Sequence, residues 1–316
     1  MRVISADEAE AINSTRITGT KIFLASLSKI HDLLKDSFAL LYFTKISCIG
    51  GINMFRLFAV VIALLVMAQG AFASGLEAVS LLDVQGEGDP ALLIGATDEQ
   101  KAQYLTDGKL HTQILAFWVN GILFDAGLKD GHIVAELAKN GVKAEDVKTI
   151  LITHLHGDHF GGLVGSEGKA AFPNAEVYVS RPEYDYWVKE LKNEAVISAL
   201  GLYEGRVHLF AFGDEVVAGV RAMDTSGHTP GHVSYLVEKD GETLIVAGDI
   251  MHFPEIQLPL PDVAVRYDVD PVKAVQSRKF ILDYAAWKNI PVAGMHITPP
   301  GIISVKKSGN GYELVK

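Results

Sequence analysis

Three histidines and an aspartate stand within six positions of Thr153-His-Leu-His-Gly-Asp-His-Phe-Gly-Gly162: His154, His156, Asp158 and His159. Imidazoles and a carboxylate packed so closely are costly to bury unless something compensates them, and a metal ion does. The run before them, Val147-Lys-Thr-Ile-Leu-Ile152, reads as a short buried strand. Alternate residues of a strand share a face, so His154 and His156 converge on one ion while Asp158 and His159 curl round to a second. Three later polar residues follow apolar runs and stand beside Gly or Pro turns: His228 in Ser226-Gly-His-Thr-Pro-Gly-His232, Asp249 in Val246-Ala-Gly-Asp249, and His296 in Ala293-Gly-Met-His296. Taken singly, each also reads as an ordinary turn residue. Together with the cluster they supply seven ligands, enough for two zinc ions and a shared water.

Those ligands need strands to end beside one another. Strands are expected at 78–84, 91–94 and 114–119, the last turning at Asn120-Gly121 into 122–125, because Asn-Gly between apolar runs is a strong hairpin signal. Helical spacing over 131–140 ends at Gly141, and the histidine-bearing strand follows. Residues 175–180 read as a strand and 181–200 as one helix, whose Tyr184, Trp187, Val188 and Leu191 form a stripe read as core rather than as a substrate shelf. The second half repeats the scheme: strands at 206–210, 215–223, 233–238 and 243–247, a helix at 271–286, a strand at 292–295, and a closing hairpin of 302–306 with 312–315. Strands, helix, strands, helix suggests two sheets face to face with helices outside.

The 316 residues are 49% hydrophobic and 21% charged, which describes a globular chain with a large core. Net charge is −10, with no basic run to track phosphates, so nucleic acid is not an expected partner. The single cysteine, Cys48, precedes the folded body and leaves no cysteine there to ligate zinc. Residues 1–53 show no turn logic or strong periodicity. Met54 then opens a signal-peptide pattern: Arg56 supplies a positive charge, 57–67 is an unbroken apolar run, and Ala71-Phe-Ala73 is a cleavage site before Ser74. Residues 1–53 are read as a start-site over-extension or disordered tail, with a cytoplasmic tail on an uncleaved anchor as the rival. Residues 54–73 are read as the signal peptide, and 74–316 as the folded domain, expected to be periplasmic or secreted. Residues 1–73 hold 7 of the 28 Lys+Arg and 5 of the 38 Asp+Glu, so the exported body carries 21 against 33, a charge of −12.

The His-x-His-x-Asp-His motif followed by distant His, Asp and His resembles the metallo-β-lactamase superfamily, over most of residues 74–316. The resemblance implies an α+β fold, the αββα four-layer sandwich, with metals at one edge of the sheets. It implies that His154, His156 and His228 hold a first zinc, that Asp158, His159 and His296 hold a second, and that Asp249 bridges both. Two Zn2+ per chain is the usual complement, with Mn2+ or Fe2+ in some branches.

Two such metals lower the pKa of a shared water towards neutrality, giving a hydroxide that attacks an ester, lactone or phosphotriester. The resemblance lets Asp158 both bind metal and take a proton. It places His252 where some lactonases carry a substrate-contacting tyrosine, so His252 is read either as a hydrogen-bond donor or as a plain loop residue. His232 is read as orienting the His228 loop; His111, His132 and His208 receive no role. Asp249 and the absence of a ligating cysteine argue against antibiotic hydrolysis as the main activity, and Gly294-Met-His-Ile-Thr-Pro299 departs from the glyoxalase II pattern. The lactonase and methyl-parathion-hydrolase-like branch remains, with a small-molecule substrate. A β-lactamase or thioester hydrolase of the same fold and a non-catalytic periplasmic metal-binding protein are the alternatives. Membrane contact would come only through an uncleaved anchor, and a homodimer is compatible with the reading. Phe253, Ile256, Leu258 and Leu260 would either wall the metal cleft or pack their own loop down.

Overall fold

The computed structural model describes residues 2–4 and 75–315. The signal segment, Cys48 and residues 1–53 apart from Arg2–Ile4 lie outside the described residues. Among those described, no helix is long and apolar enough to cross a membrane.

The first sheet takes seven strands: β1 (Arg2–Ile4), β2 (Glu77–Gly88), β4 (Leu110–Val119), β5 (Ile122–Phe124), β6 (Thr149–Leu151), β7 (Glu176–Ser180) and β8 (Val207–Phe210), adjacent in that order. The second has six, in the order β15 (Ile302–Ile303), β14 (Val292–Ala293), β12 (Glu242–Val246), β11 (Val233–Lys239), β10 (Val220–Asp224) and β9 (Glu215–Val217). Two ribbons complete the strands: β3 (Leu93–Ile94) with β13 (Ala264–Val265), and β16 (Val305–Ser308) with β17 (Gly311–Leu314). The helices are α1 (Asp98–Tyr104), α2 (Ile133–Lys139), α3 (Gly157–Phe160), α4 (Arg181–Tyr184), α5 (Glu194–Gly201), α6 (Pro254–Gln257) and α7 (Pro271–Lys288).

Three apolar clusters account for the layering. Leu81, Leu123, Ile150 and Val177 pack outward against Leu137 of α2 and Val196 and Ala199 of α5. Leu115, Phe117, Phe124 and Leu151 meet Tyr235, Leu244, Val246 and Ala293 between the sheets. Ile245 and Val292 pack against Ile281, Leu282 and Ala285 of α7 on the far side. The expected αββα sandwich is thus the fold. The hairpin turn predicted at Asn120 and Gly121 (φ 51° and 86°) and the turn at Asp240 and Gly241 (φ 51° and 82°) that joins β11 to β12 each form with two left-handed residues, the geometry that matches strand twist. In α7, Asp270 caps the Lys273 N–H, Pro271 begins the first turn, and Asn289 ends the helix at φ 55°.

Several elements differ from expectation. The single helix expected over 181–200 is three pieces: α4, a π-helical stretch Asp185–Glu190, and α5. Lys192 at φ 49° breaks the chain there, and the Asn193 side chain caps α5 by accepting from the Val196 N–H. Leu191, read as core, is 50% exposed as a result. The strand expected at 215–223 turns at Gly219 (φ 77°) into β9 and β10. The strand expected at 91–94 keeps only β3, behind a 3-10 turn at Pro90–Leu92, and the closing hairpin pairs β16 with β17 while β15 joins the second sheet. The parallel pairing of Arg2–Ile4 with β2 was not anticipated.

Candidate metal centre

In the first sheet β5, β6 and β7 run parallel, and in the second β12 and β14 do, so the chain leaves these strands at one edge of the sandwich. From β6 come His154 and His156, and then α3 with Asp158 and His159. From the second sheet come His228 between β10 and β11, Asp249 after β12 and His296 after β14. All seven predicted ligands meet there. The Asp249 Oδ2 lies 3.7 Å from His154 Nε2, 3.3 Å from His159 Nε2, 3.4 Å from His228 Nε2 and 3.0 Å from His296 Nε2. His156 turns its other nitrogen inward, with Nδ1 3.0 Å from both His154 Nε2 and His228 Nε2. Asp158 Oδ2 is 3.6 Å from His159 Nε2 and 3.5 Å from His296 Nε2.

These donors fall into the two triads the resemblance implied, His154, His156, His228 and Asp158, His159, His296, with Asp249 touching members of each. Every ligand is buried except His156 and Asp158, which face the opening. His159 Nε2 and Asp249 Oδ1 are buried without any hydrogen-bond partner. Lone pairs aimed at one another at 3.0 Å and orphaned buried atoms are what a cation relieves, and a His and carboxylate set suits zinc, iron or manganese. In the protein alone, protons do that work. Burial lowers His228, but Asp249 and Asp268 outweigh it and push it up to about 9. Burial and the neighbouring His228 drive His156 down to about 3. Burial raises Asp249, yet His159, His296 and His154 hold its carboxyl well below the usual carboxylate range.

The supports of these ligands lie far away in sequence. Asp125, at the end of β5, accepts from the Thr153 N–H and hydroxyl, both at 2.7 Å, and its Oδ2 lies 2.7 Å from His159 Nδ1. Because the Thr153 hydroxyl donates to Asp125, its oxygen is left to accept from His154 Nδ1 at 3.1 Å. One carboxylate therefore sets the tautomer of two ligands, leaving each Nε2 lone pair for a metal. Asp268 does the same for His228 at 2.9 Å, and the Gln113 carbonyl for His296 at 2.6 Å. The Gln113 amide returns a hydrogen bond to the His296 carbonyl. His232 accepts from the Asp249 N–H at 2.9 Å through Nε2, while its Nδ1 lies 3.1 Å from the carbonyl and 2.9 Å from the hydroxyl of Thr225 at the start of the His228 loop, so it orients that loop, as expected, and ties it to the Asp249 turn. Gly248 allows this: it sits at φ 60°, and a Cβ there would stand 2.5 Å from His232 Nε2.

Glu183 joins the two sheets' ligand loops. Its carboxylate, 1% exposed, accepts from the Leu155 N–H between the first two histidines, from the Thr229 hydroxyl and Gly231 N–H just after His228, and from Trp187 Nε1. The π-helical stretch places Trp187 so that its ring also meets His156 edge-on, with centroids 5.5 Å apart. Trp187, half-buried, packs with Tyr184 and Val188 against the outer core of the first sheet, as the stripe reading expected, and also borders the metal centre.

His252 is no plain loop residue. It is 3% exposed, its Nε2 is 3.2 Å from Asp249 Oδ2, and its ring stacks on His296 with centroids 4.8 Å apart. Its Nδ1 has no partner. The opening holds about 430 Å3 and is walled by Thr112, Ile114 and Tyr267 as well as by His252 and five of the seven predicted ligands, His154 and His159 lying behind them. Tyr267, half-exposed with its ring 5.7 Å from that of His252, escaped the sequence reading, as did Asp125, Asp268 and Glu183. Of the two readings of Phe253, Ile256, Leu258 and Leu260, the packing one holds: the first three are buried in the core and Leu260 packs against it. His111 and His208 pair with Asp107 and Glu176, while His132 is bonded through its N–H and Nδ1 to Asp83, all away from the ligands.

Residues 113–291 match the profile of the metallo-beta-lactamase superfamily and contain six of the seven ligands. The chain belongs to this superfamily. Among curated relatives of this member, an N-acyl homoserine lactonase of Bacillus cereus is 34% identical over 122 residues, covering 37% of this chain and 44% of the relative. Another from a Bacillus species is 35% identical over 134 residues, covering 40% and 48%. The match thus spans just under half the length of these relatives. Among solved structures, the hydrolase AbOPH of the beta-lactamase superfamily superposes with a TM-score of 0.71 at 31% identity, covering 77% of this chain and 94% of that one. AidC, a dizinc quorum-quenching lactonase, has the same fold, with a TM-score of 0.69 at 24% identity and the same coverage.

Proposed function

We propose that this superfamily member holds two divalent metal ions, zinc by preference, and hydrolyses a lactone or ester of a small molecule, with a phosphotriester as the related substrate. The observation that carries the reading is the pair of donor triads on either side of Asp249. Metals bound there would supply a water that ionises near neutral pH and a positive field for the oxygen of the bond being broken.

The chain's own residues supply the rest. Asp158, whose side chain is 26% exposed, is the carboxylate open to the cleft and can take up the proton released from water. His252, already beside Asp249, can donate a hydrogen bond to the substrate from the buried side of the cleft. Ile114 and Tyr267 offer apolar surface against the substrate and help exclude water. The lactonase relatives favour a lactone, and the AbOPH likeness keeps the phosphotriester in view. Export to the periplasm or the medium rests on the sequence of 54–73 alone, and homodimerisation is left open by the same proposal.

The test is hydrolysis of an acyl-homoserine lactone, an aryl ester, a phosphotriester, a β-lactam and a glutathione thioester by the zinc-loaded full chain. Turnover of the lactone or ester should vanish with chelator, return with zinc, and fall by at least about 100-fold in Asp249→Asn. Turnover of the β-lactam or thioester alone, or none with two metals bound, would overturn the proposal.

A further inference from the structure

A second cavity, of about 450 Å3, adjoins the metal cleft, and Thr112 lines both. It lies at the far end of the β2–β4 ribbon, open to solvent on one side and bordered by Tyr104 of α1 and Glu255 of α6, with Thr298, two residues beyond His296, on its wall. Its charged groups are largely occupied. Lys109 is 2.7 Å from Glu87, and His111 is 3.0 Å from Asp107. The side chains of Gln85, Tyr104, Thr106, Thr112 and Thr298 line it with no hydrogen-bond partner among the described residues. The capacity on offer is therefore neutral: hydroxyls and an amide that both donate and accept. Glu255 adds a negative charge to the wall, which repels an anionic group. An alkyl chain would cover these hydroxyls without satisfying them, which costs free energy.

We propose that this cavity receives a neutral hydrogen-bonding arm of the substrate, bearing hydroxyl or amide groups, which runs from the scissile bond past Thr112. The inference rests on the lactone or ester reading and specifies the substrate class of that same site. It places the polar arm some distance from the metals, so recognition of the arm and cleavage of the bond are separate properties.

The experiment compares kcat/KM of the zinc-loaded full chain for four lactones: one with no arm, and three with arms of equal length that are alkyl, hydroxylated with an internal amide, or carboxylate-ended. The hydroxylated arm should exceed the alkyl arm by about tenfold, the effect of one or two net hydrogen bonds, and the carboxylate should be the poorest. Tyr104→Phe and Thr298→Val, which keep the shape of the wall, should each reduce the hydroxylated-to-alkyl ratio by about fivefold, mainly through KM. Hydrolysis of the armless lactone with an alkyl arm equal or preferred, with a carboxylate preferred, or with a ratio indifferent to both variants would overturn the inference and leave the hydrolase reading standing. No hydrolysis of any lactone, the armless one included, would overturn both.

Discussion

The two sheets hold their predicted metal ligands by different means. Two of the first sheet's four, His154 and His159, share one support: Asp125 receives His159 directly and His154 through the Thr153 hydroxyl. Those of the second sheet are supported one by one, His228 by Asp268, His296 by a backbone carbonyl and the Asp249 turn by His232. The reason is topological. His154 and His159 leave one strand within six residues, beside the parallel strand that ends in Asp125, so one carboxylate reaches both. The second-sheet ligands arrive on three separate loops, and each needs its own anchor. A shared support couples the two triads, and separate supports leave them independent.

The largest effect expected from this contrast is that of Asp125→Ala. It strands the Thr153 N–H and hydroxyl and the His159 Nδ1–H where Asp125 was wholly buried, which should cost about 3–5 kcal/mol of stability in urea unfolding. It should also weaken both metal positions together. Loss of one metal with the other untouched would break the idea of a shared support. Glu183→Gln comes next. It replaces a carboxylate that ties Leu155 in one loop to Thr229 and Gly231 in the other, and should cost about 1–3 kcal/mol. Because Trp187 and both loops border His154, His156 and His228, competition with a chelator should show the first triad loosened more than the second. Asp268→Asn is the smallest and sharpest test. It should lower the affinity of one metal by about 10- to 100-fold, leave the other in place and change stability little. Equal weakening of both would show that the second-sheet supports are coupled after all.

How far the centre can be read from the chain follows from the same contrast. Short-range order is legible: His154, His156, Asp158 and His159 declare themselves by type and spacing, and His228, Asp249 and His296 by following buried runs and standing next to glycine or proline. Long-range support is not. Asp125 acts on residues 28 and 34 positions away, Asp268 on one 40 away, and Glu183 on residues 28 before and up to 48 after it. A single acidic residue carries no periodicity, and nothing local separates it from a solvated one. The break at Lys192 was hidden for a related reason, since apolar spacing continues across it while the backbone changes hand for one residue. Phe253, Ile256 and Leu258 were ambiguous because an apolar loop reads the same whether it faces a ligand or the core.

By itself the sequence determined the metal-binding chemistry, the order of ligands along the chain and the layered fold, because these rest on residue type, on strand and helix period, and on turn residues whose backbone demands are local. Only the tertiary structure decided which carboxylates stand behind which imidazoles, that Trp187 and Tyr267 border the site, that His252 sits against Asp249, and that a second polar cavity opens beside the first. Those facts depend on parallel strands ending side by side and on loops of opposite sheets meeting, and such proximities are set by the packing of the whole core.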